Sequence, residues 1–121
     1  NFNLTVVDDG RVSIGNSVMF GPNVTISTTG HPVHPYYRMQ GAHFSLPVVI
    51  EDGVWIGANV VVMPGVTIGK NSVIGAGSVV TRDIPENVVA FGTPCRVIRP
   101  ITDADLETIR PDMTINEDWN A

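Results

Sequence analysis

Aliphatic residues recur at every sixth position along most of this chain, and that period restricts the possible fold more than any other feature. The in-phase positions are Ile14, Phe20, Ile26, Ile50, Ile56, Val62, Ile68, Ile74 and Val80. Smaller residues follow four positions later, at Val18, Val24, Val54, Val60, Val66, Ser72, Ser78 and Ile84. A six-residue period matches neither the 3.6-residue turn of a helix nor the two-residue alternation of a strand.

A period of six is typical of a solenoid in which one large and one small residue of each hexad point inward. Glycine follows many of the in-phase residues directly and gives the backbone freedom at the corners. Stacked parallel coils would then bury a continuous aliphatic column. Extended backward, the same frame falls on Phe2, with Val6 four residues later. The period does not give the handedness, and a left-handed coil would depart from the usual crossover rule.

The repeat stops at Gly30 and resumes in phase at Ile50. We therefore expect a hexapeptide-repeat β-helix over residues 1–100 with an inserted loop at about 30–47. A break of this kind in a regular scaffold is a common place for function. Residues 101–121 are expected to form a C-terminal helix and tail, with Thr102 as the N-cap of a short helix through about Ile109. The chain begins in mid-pattern at Asn1, so a preceding N-terminal region is expected to be absent.

Composition narrows the range of partners and compartments. The net charge of −5 disfavours a nucleic-acid-binding surface. The single cysteine, Cys95, excludes an internal disulfide and fits a reducing compartment. No stretch has the roughly eighteen apolar residues of a membrane span, and no signal peptide is visible. We expect a cytoplasmic protein without nucleic-acid or membrane partners.

Several motifs, in order along the chain, resemble those of the hexapeptide-repeat acyltransferases, and more narrowly the galactoside/maltose O-acetyltransferase branch. They are the segments at 29–33 (TGHPV), 54–57 (VWIG), 64–69 (PGVTIG), 74–78 (IGAGS) and 92–98 (GTPCRVI). The resemblance covers roughly residues 1–100. It implies an all-β, left-handed parallel β-helix, a homotrimer with sites between subunits, and acetyl-CoA as co-substrate.

His31 is the candidate catalytic residue. It lies five residues after Ile26, an outward position on the hexad count and the same one that Trp55 holds after Ile50. Attack of a hydroxyl on a thioester needs a base, and a neutral imidazole can take the proton in the transition state. The resemblance at residues 29–33 implies this role for His31. The other two histidines, His34 and His43, share its loop without a supporting acidic or cysteine cluster, so no metal is expected.

Asn1 and Asp9 match positions that bind acceptor hydroxyls in the resembling family. Polar planar side chains suit a ligand with many hydroxyls, although Asp9 in Asp8-Asp9-Gly10 is also an ordinary turn residue. The resemblance favours substrate binding for both residues.

The cofactor side of the predicted site draws on the later repeats. Trp55 points outward by the count, and either a neighbouring subunit or the pantetheine arm would cover it. Ala58 and Ala76 match places where that arm runs close to the backbone. The predicted phosphate side combines a polar residue with a cluster of arginines, whose guanidinium groups suit CoA phosphates: Thr81, Arg82, Arg96 and Arg99.

The leading interpretation is an acetyl-CoA-dependent O-acetyltransferase acting directly on a hydroxyl of a sugar or similar acceptor, with His31 as general base. An N-acetyltransferase acting on an amino sugar or small amine would use the same base and cofactor groove. A non-catalytic β-helix scaffold is the alternative from a different class.

Overall fold

The computed structural model describes residues 1–110, 113 and 114, where short strands alternate with tight turns. In chain order the strands are β1 Thr5–Val7, β2 Val12–Ile14, β3 Met19–Phe20, β4 Thr25–Ser27, β5 Thr29–Gly30, β6 Phe44–Ser45, β7 Val48–Ile50, β8 Trp55–Ile56, β9 Val61–Val62, β10 Thr67–Ile68, β11 Val73–Ile74, β12 Val79–Val80, β13 Val88–Gly92, β14 Cys95–Pro100, β15 Thr108–Arg110 and β16 Met113–Thr114. One α-helix, α1, spans Pro35–Arg38, and one 3₁₀ helix spans Asp103–Leu106.

Three parallel sheets form the faces of the coil. The first face is β1-β4-β9-β12, the second is β2-β7-β10, and the third is β3-β8-β11-β13, to which β14 adds in the antiparallel direction. Strands that are three hexads apart in sequence pair in register, so that Ile50 lies beside Ile68 and Val62 beside Val80. The predicted parallel β-helix is confirmed.

The core is the aliphatic column that the hexads predict. Buried side chains come from both inward positions: Val24, Ile26, Val48, Ile50, Val54, Ile56, Val60, Val62, Val66, Ile68, Ile74, Val80 and Ile84. Asparagines in the left-handed region, among them Asn59 and Asn71, turn several of the corners. Ile14 is 43% exposed although it is in phase, because β2 is the edge strand of its sheet.

The backward extension of the frame to Phe2 is wrong. Val6, not Phe2, pairs with Ile26, and Phe2 is 80% exposed. The turn at Asp8–Gly10 is two residues longer than the corner between Val62 and Ile68, and it moves the first strand out of phase.

The C-terminal segment also differs from its prediction. The predicted helix ends at Leu106 as a 3₁₀ turn, and Thr108–Arg110 is a strand paired antiparallel with Met113–Thr114. The carboxylate of Asp105 accepts the Thr102 N–H at 2.9 Å, as expected of a residue near a helix start. Residues 111, 112 and 115–121 of the predicted tail lie outside the described residues, and the domain boundaries stay a prediction. No helix in the described part of the chain is long and apolar enough to span a membrane.

Two serines replace valine at the small inward position, and both are fully buried. The Ser72 hydroxyl donates to the Pro85 carbonyl at 2.6 Å and accepts the Val88 N–H at 3.1 Å. Ser78 likewise donates to the Gly75 carbonyl and accepts the Gly92 N–H. These hydroxyls hold the last part of the coil, where the chain leaves the six-residue frame after Val80.

Replacing Ser72 with alanine should lower the free energy of unfolding by about 1–3 kcal/mol, because it removes two hydrogen bonds and leaves the buried Val88 N–H without a partner. Urea unfolding followed by circular dichroism measures the effect. Ser13→Ala on half-buried β2 is the matched control, with little expected change. Equal losses in the two variants would contradict the role given to Ser72.

Candidate active site

The inserted loop is a hairpin that leaves the coil after the buried Thr28. Its base is an antiparallel pair, β5 with β6, in which Thr29 lies opposite Ser45 and Gly30 opposite Phe44. The Leu46 N–H donates to the Thr28 carbonyl at 2.8 Å and returns the chain to the coil. A Cβ at Gly30 would overlap the Phe44 ring, so a larger residue there would have to displace that ring. The hairpin thus stands at one corner of the coil, between β4 and β7. No coil is interrupted, and Ile26 pairs directly with Val62 of the next coil.

The hexad count that gave His31 the wall position of Trp55 is wrong. Trp55 lies in β8 on the third face, whereas His31 lies just beyond β5 at the base of the hairpin. The count fails because antiparallel pairing, and not a further hexad, begins at Thr29.

The hydrogen bond of the His31 ring defines its tautomer. The ring is exposed, and its Nδ1 lies 3.0 Å from the Ala42 carbonyl oxygen. Because a carbonyl only accepts, Nδ1 carries the hydrogen, and in the neutral ring Nε2 is left with the lone pair. The His43 ring lies edge-on at a centroid distance of 6.4 Å. Ala42 was missed at the sequence level, since a backbone contact eleven residues away leaves no side-chain signal.

Asp9 is brought to the base of the same hairpin. The Thr29 hydroxyl donates to Asp9 Oδ2 at 2.6 Å. The neighbouring Thr28 hydroxyl accepts the Gly10 N–H at 2.9 Å and donates to the Val7 carbonyl at 2.8 Å. Two consecutive threonines therefore join the Asp9 turn to the strand that leads to His31. The sequence prediction did not include either threonine.

Asn1 is not drawn into this arrangement. It is exposed, and its side-chain oxygen accepts the N–H of Phe2 at 2.7 Å. Within residues 1–110, no hydrogen bond joins Asn1 to Asp9 or His31. Its predicted substrate contact stays a prediction.

An exposed apolar strip crosses the third face. Trp55 is 50% exposed and lies in register between Met19, 62% exposed, and the half-buried Val73. The outward direction predicted for Trp55 agrees with this exposure. A subunit or a ligand would each bury the strip, so both alternatives for Trp55 stay open.

Ala58 and Ala76 lie at the same corner in successive coils. The Gly77 N–H donates to the Ala58 carbonyl at 2.8 Å, and a Cβ on Gly57 would collide with the Ala76 backbone nitrogen. The coils are therefore closely stacked here, and small side chains leave the outer backbone of the corner accessible. This geometry is compatible with a ligand that approaches the main chain.

A cavity of about 360 Å³ brings two of the predicted arginines together at the last coil. Its lining residues are Arg82, Asp83, Ile84, Cys95, Arg96 and Val97. Thr81 is exposed and precedes Arg82, but does not line the cavity. Arg96 donates through Nη1 to the Cys95 carbonyl at 2.9 Å. Burial raises the pKa of the Cys95 thiol, which disfavours the thiolate and fits a packed residue better than a nucleophile.

Arg99 differs from the other two arginines. Both of its terminal nitrogens donate to Asp105, at 2.9 Å and 2.8 Å, and this forked pairing lowers the pKa of the Asp105 carboxyl. A phosphate would have to compete with this carboxylate for Arg99. This pairing of Arg99 with Asp105 was not predicted from the sequence.

The described residues hold no group of three or more His, Cys, Asp or Glu side chains arranged to bind a metal ion.

Comparison with known proteins places this geometry among acetyltransferases. Residues 47–82 match the bacterial transferase hexapeptide (six repeats) family model. A galactoside O-acetyltransferase of Lactococcus lactis is 65% identical over 108 residues, which are 89% of this chain and 52% of the relative. The chain thus spans about half the length of the curated relatives it matches.

Solved structures give the same result. A galactoside acetyltransferase in complex with coenzyme A superposes with a TM-score of 0.93 and 59% identity, covering 96% of this chain and 58% of the other. A maltose O-acetyltransferase from Clostridium difficile 630 has a TM-score of 0.78 and 48% identity, covering 84% of this chain and 58% of the other.

Proposed function

We infer that the chain belongs to the bacterial transferase hexapeptide family, in the branch of the galactoside and maltose O-acetyltransferases. We propose that it transfers acetyl groups from acetyl-CoA to a sugar-like hydroxyl acceptor. The observation that carries the proposal is the bond from His31 Nδ1 to the Ala42 carbonyl, which leaves Nε2 as a base on an exposed ring. The alternative of a non-catalytic scaffold gives no reason for this arrangement.

The proposed reaction is a direct transfer. Nε2 of His31 takes the proton of the acceptor hydroxyl as its oxygen forms a bond with the thioester carbonyl carbon. The carbon–sulfur bond then breaks, and the CoA sulfur takes the proton from the imidazolium. The Ala42 carbonyl stabilises that imidazolium by accepting from Nδ1–H throughout. No enzyme nucleophile is needed, since the thioester is already activated.

We propose that acetyl-CoA lies along the outside of the later coils. Arg82 and Arg96 share one cavity and would neutralise its phosphates, with Thr81 beside them. The corner of Ala58 and Ala76 offers backbone to the pantetheine arm, and Trp55 offers an apolar surface. Arg99 contributes less, because two of its donors are already paired with the Asp105 carboxylate.

The acceptor would lie on the Asp9 side of His31. The Asp9 carboxylate is exposed and is held near the hairpin base by Thr29, so its remaining oxygen can accept from an acceptor hydroxyl. Asn1 is proposed to add a second polar contact.

The assembly is proposed to be a homotrimer with sites between subunits. The exposed strip of Met19 and Trp55 and the projecting hairpin would both gain from a partner surface. The cytoplasmic location stays a prediction.

Matched acceptors test the proposed chemistry. With acetyl-CoA present, methyl galactoside should increase the rate of CoA thiol release above the rate with water alone, and its product should be an ester that alkaline hydroxylamine cleaves. Galactosamine is the paired amine acceptor. Faster release with the amine and a product that resists hydroxylamine would favour the N-acetyltransferase, and no stimulation by any hydroxyl or amine acceptor would favour the scaffold.

A further inference from the structure

Thr28 and Thr29 lie at the base of the hairpin. Within residues 1–110, their hydroxyls make the only side-chain hydrogen bonds between the turn at Asp9 and the segment that leads to His31. Thr28 is fully buried, and its hydroxyl both accepts from Gly10 and donates to Val7, so it fixes the backbone on either side of Asp9. Thr29 is half-buried and holds the carboxylate itself. His31 follows two residues later.

Asp9 depends on this link for its orientation. The carboxylate is exposed and has no ion-pair partner among residues 1–110, and within that range the Thr29 hydroxyl is its one side-chain hydrogen-bond partner. At 2.6 Å the bond has the short length of a charge-assisted hydrogen bond. It occupies Oδ2 and leaves Oδ1 to face solvent. Without the hydroxyl, the Asp9 side chain would be free to take several rotamers.

We infer that Thr29 is a positioning residue that holds the Asp9 carboxylate in one orientation relative to His31, so that a single oxygen receives a second hydroxyl of the acceptor. This inference rests on the proposed function. A fixed Asp9 oxygen selects acceptors in which a second hydroxyl lies at a set distance from the reacting hydroxyl. Only such an acceptor can bind Asp9 and present its reacting hydroxyl to His31 at the same time. Thr28 fixes the backbone of the turn that carries Asp9, and Thr29 fixes the Asp9 side chain.

Thr29→Val removes the hydroxyl and keeps the branched shape. The KM for methyl galactoside should rise about tenfold, as expected for a lost hydrogen bond to a charged group at an exposed site. The KM for acetyl-CoA should stay unchanged. Thr29→Ser restores a hydroxyl and should recover most of the loss. Thr25→Val, the same substitution on the preceding strand, is the matched control and should leave the acceptor KM unchanged.

A double-mutant cycle separates positioning from general damage. Asp9→Ala, which removes both carboxylate oxygens, should raise the acceptor KM by itself, and adding Thr29→Val to it should have little further effect, because Thr29 acts through Asp9. Thr29→Ala replaces Thr29→Val in the cycle if the valine variant melts at a much lower temperature than Thr25→Val.

The inference is overturned if Thr29→Val behaves like Thr25→Val, if serine fails to restore the acceptor KM, or if the effects of the Asp9 and Thr29 changes simply multiply. An unchanged acceptor KM in Asp9→Ala overturns it as well. A wild-type chain that releases no CoA with any acceptor would instead count against the proposed function, so the two failures are distinguishable.

Discussion

Replacing His31 with alanine should lower kcat for acetyl transfer by about 10²–10⁴-fold, the usual contribution of a positioned general base. The KM for acetyl-CoA should change little, since the proton is removed in the transition state and the arginines that we assign to the cofactor lie on the last coil. Steady-state rates of CoA thiol release with methyl galactoside measure the effect.

His34→Ala is the matched control for that variant. His34 lies in the same hairpin, but its Nδ1 accepts the Tyr36 N–H at the start of α1. Its loss should have a much smaller effect on kcat. Equal losses in the two variants would mean that hairpin structure, and not a base at His31, limits the rate.

Removing Arg82 and Arg96 together should weaken CoA binding about a hundredfold, taking about tenfold for each charge-assisted contact at an exposed site. The two side chains line one cavity, so a phosphate there can contact both guanidinium groups. Isothermal titration calorimetry with CoA gives the affinity. Pantetheine, which lacks the phosphates, should bind the variant and the wild type alike.

Arg99→Ala provides the comparison within the same protein. Because Arg99 already donates twice to Asp105, its loss should weaken CoA binding far less than the double change. A single Arg99 change that matched the double variant would move the phosphate site away from the cavity.

The coil was predictable because every hexad repeats one physical requirement. An inward residue such as Ile56 packs against the residue at the same position of the next coil, here Ile74. Because each coil has the same length, these residues recur at a fixed period in the sequence. The prediction failed where that requirement lapses, at Val6, which precedes a longer turn, and at His31, which follows the antiparallel strand β5.

The site was less predictable than the coil. His31 and Asp9 were predicted from the family resemblance, and Arg82 and Arg96 from their clustering near the end of the coil together with that resemblance. The Ala42 carbonyl, the Thr29 hydroxyl and the Asp105 partner of Arg99 act through contacts between segments. Such contacts have no regular spacing in the sequence, so the sequence alone does not predict them.

The closed base of the hairpin separates two parts of the molecule that can vary independently. The chain leaves at Thr29 and returns at Ser45, directly opposite, so the coil meets the same two ends whatever lies between them. Residues 32–41 lie between His31 and Ala42, and changes in their length or sequence need not disturb the aliphatic column. Substitutions in these residues can therefore alter the acceptor preference while the coil and its cofactor side keep their geometry.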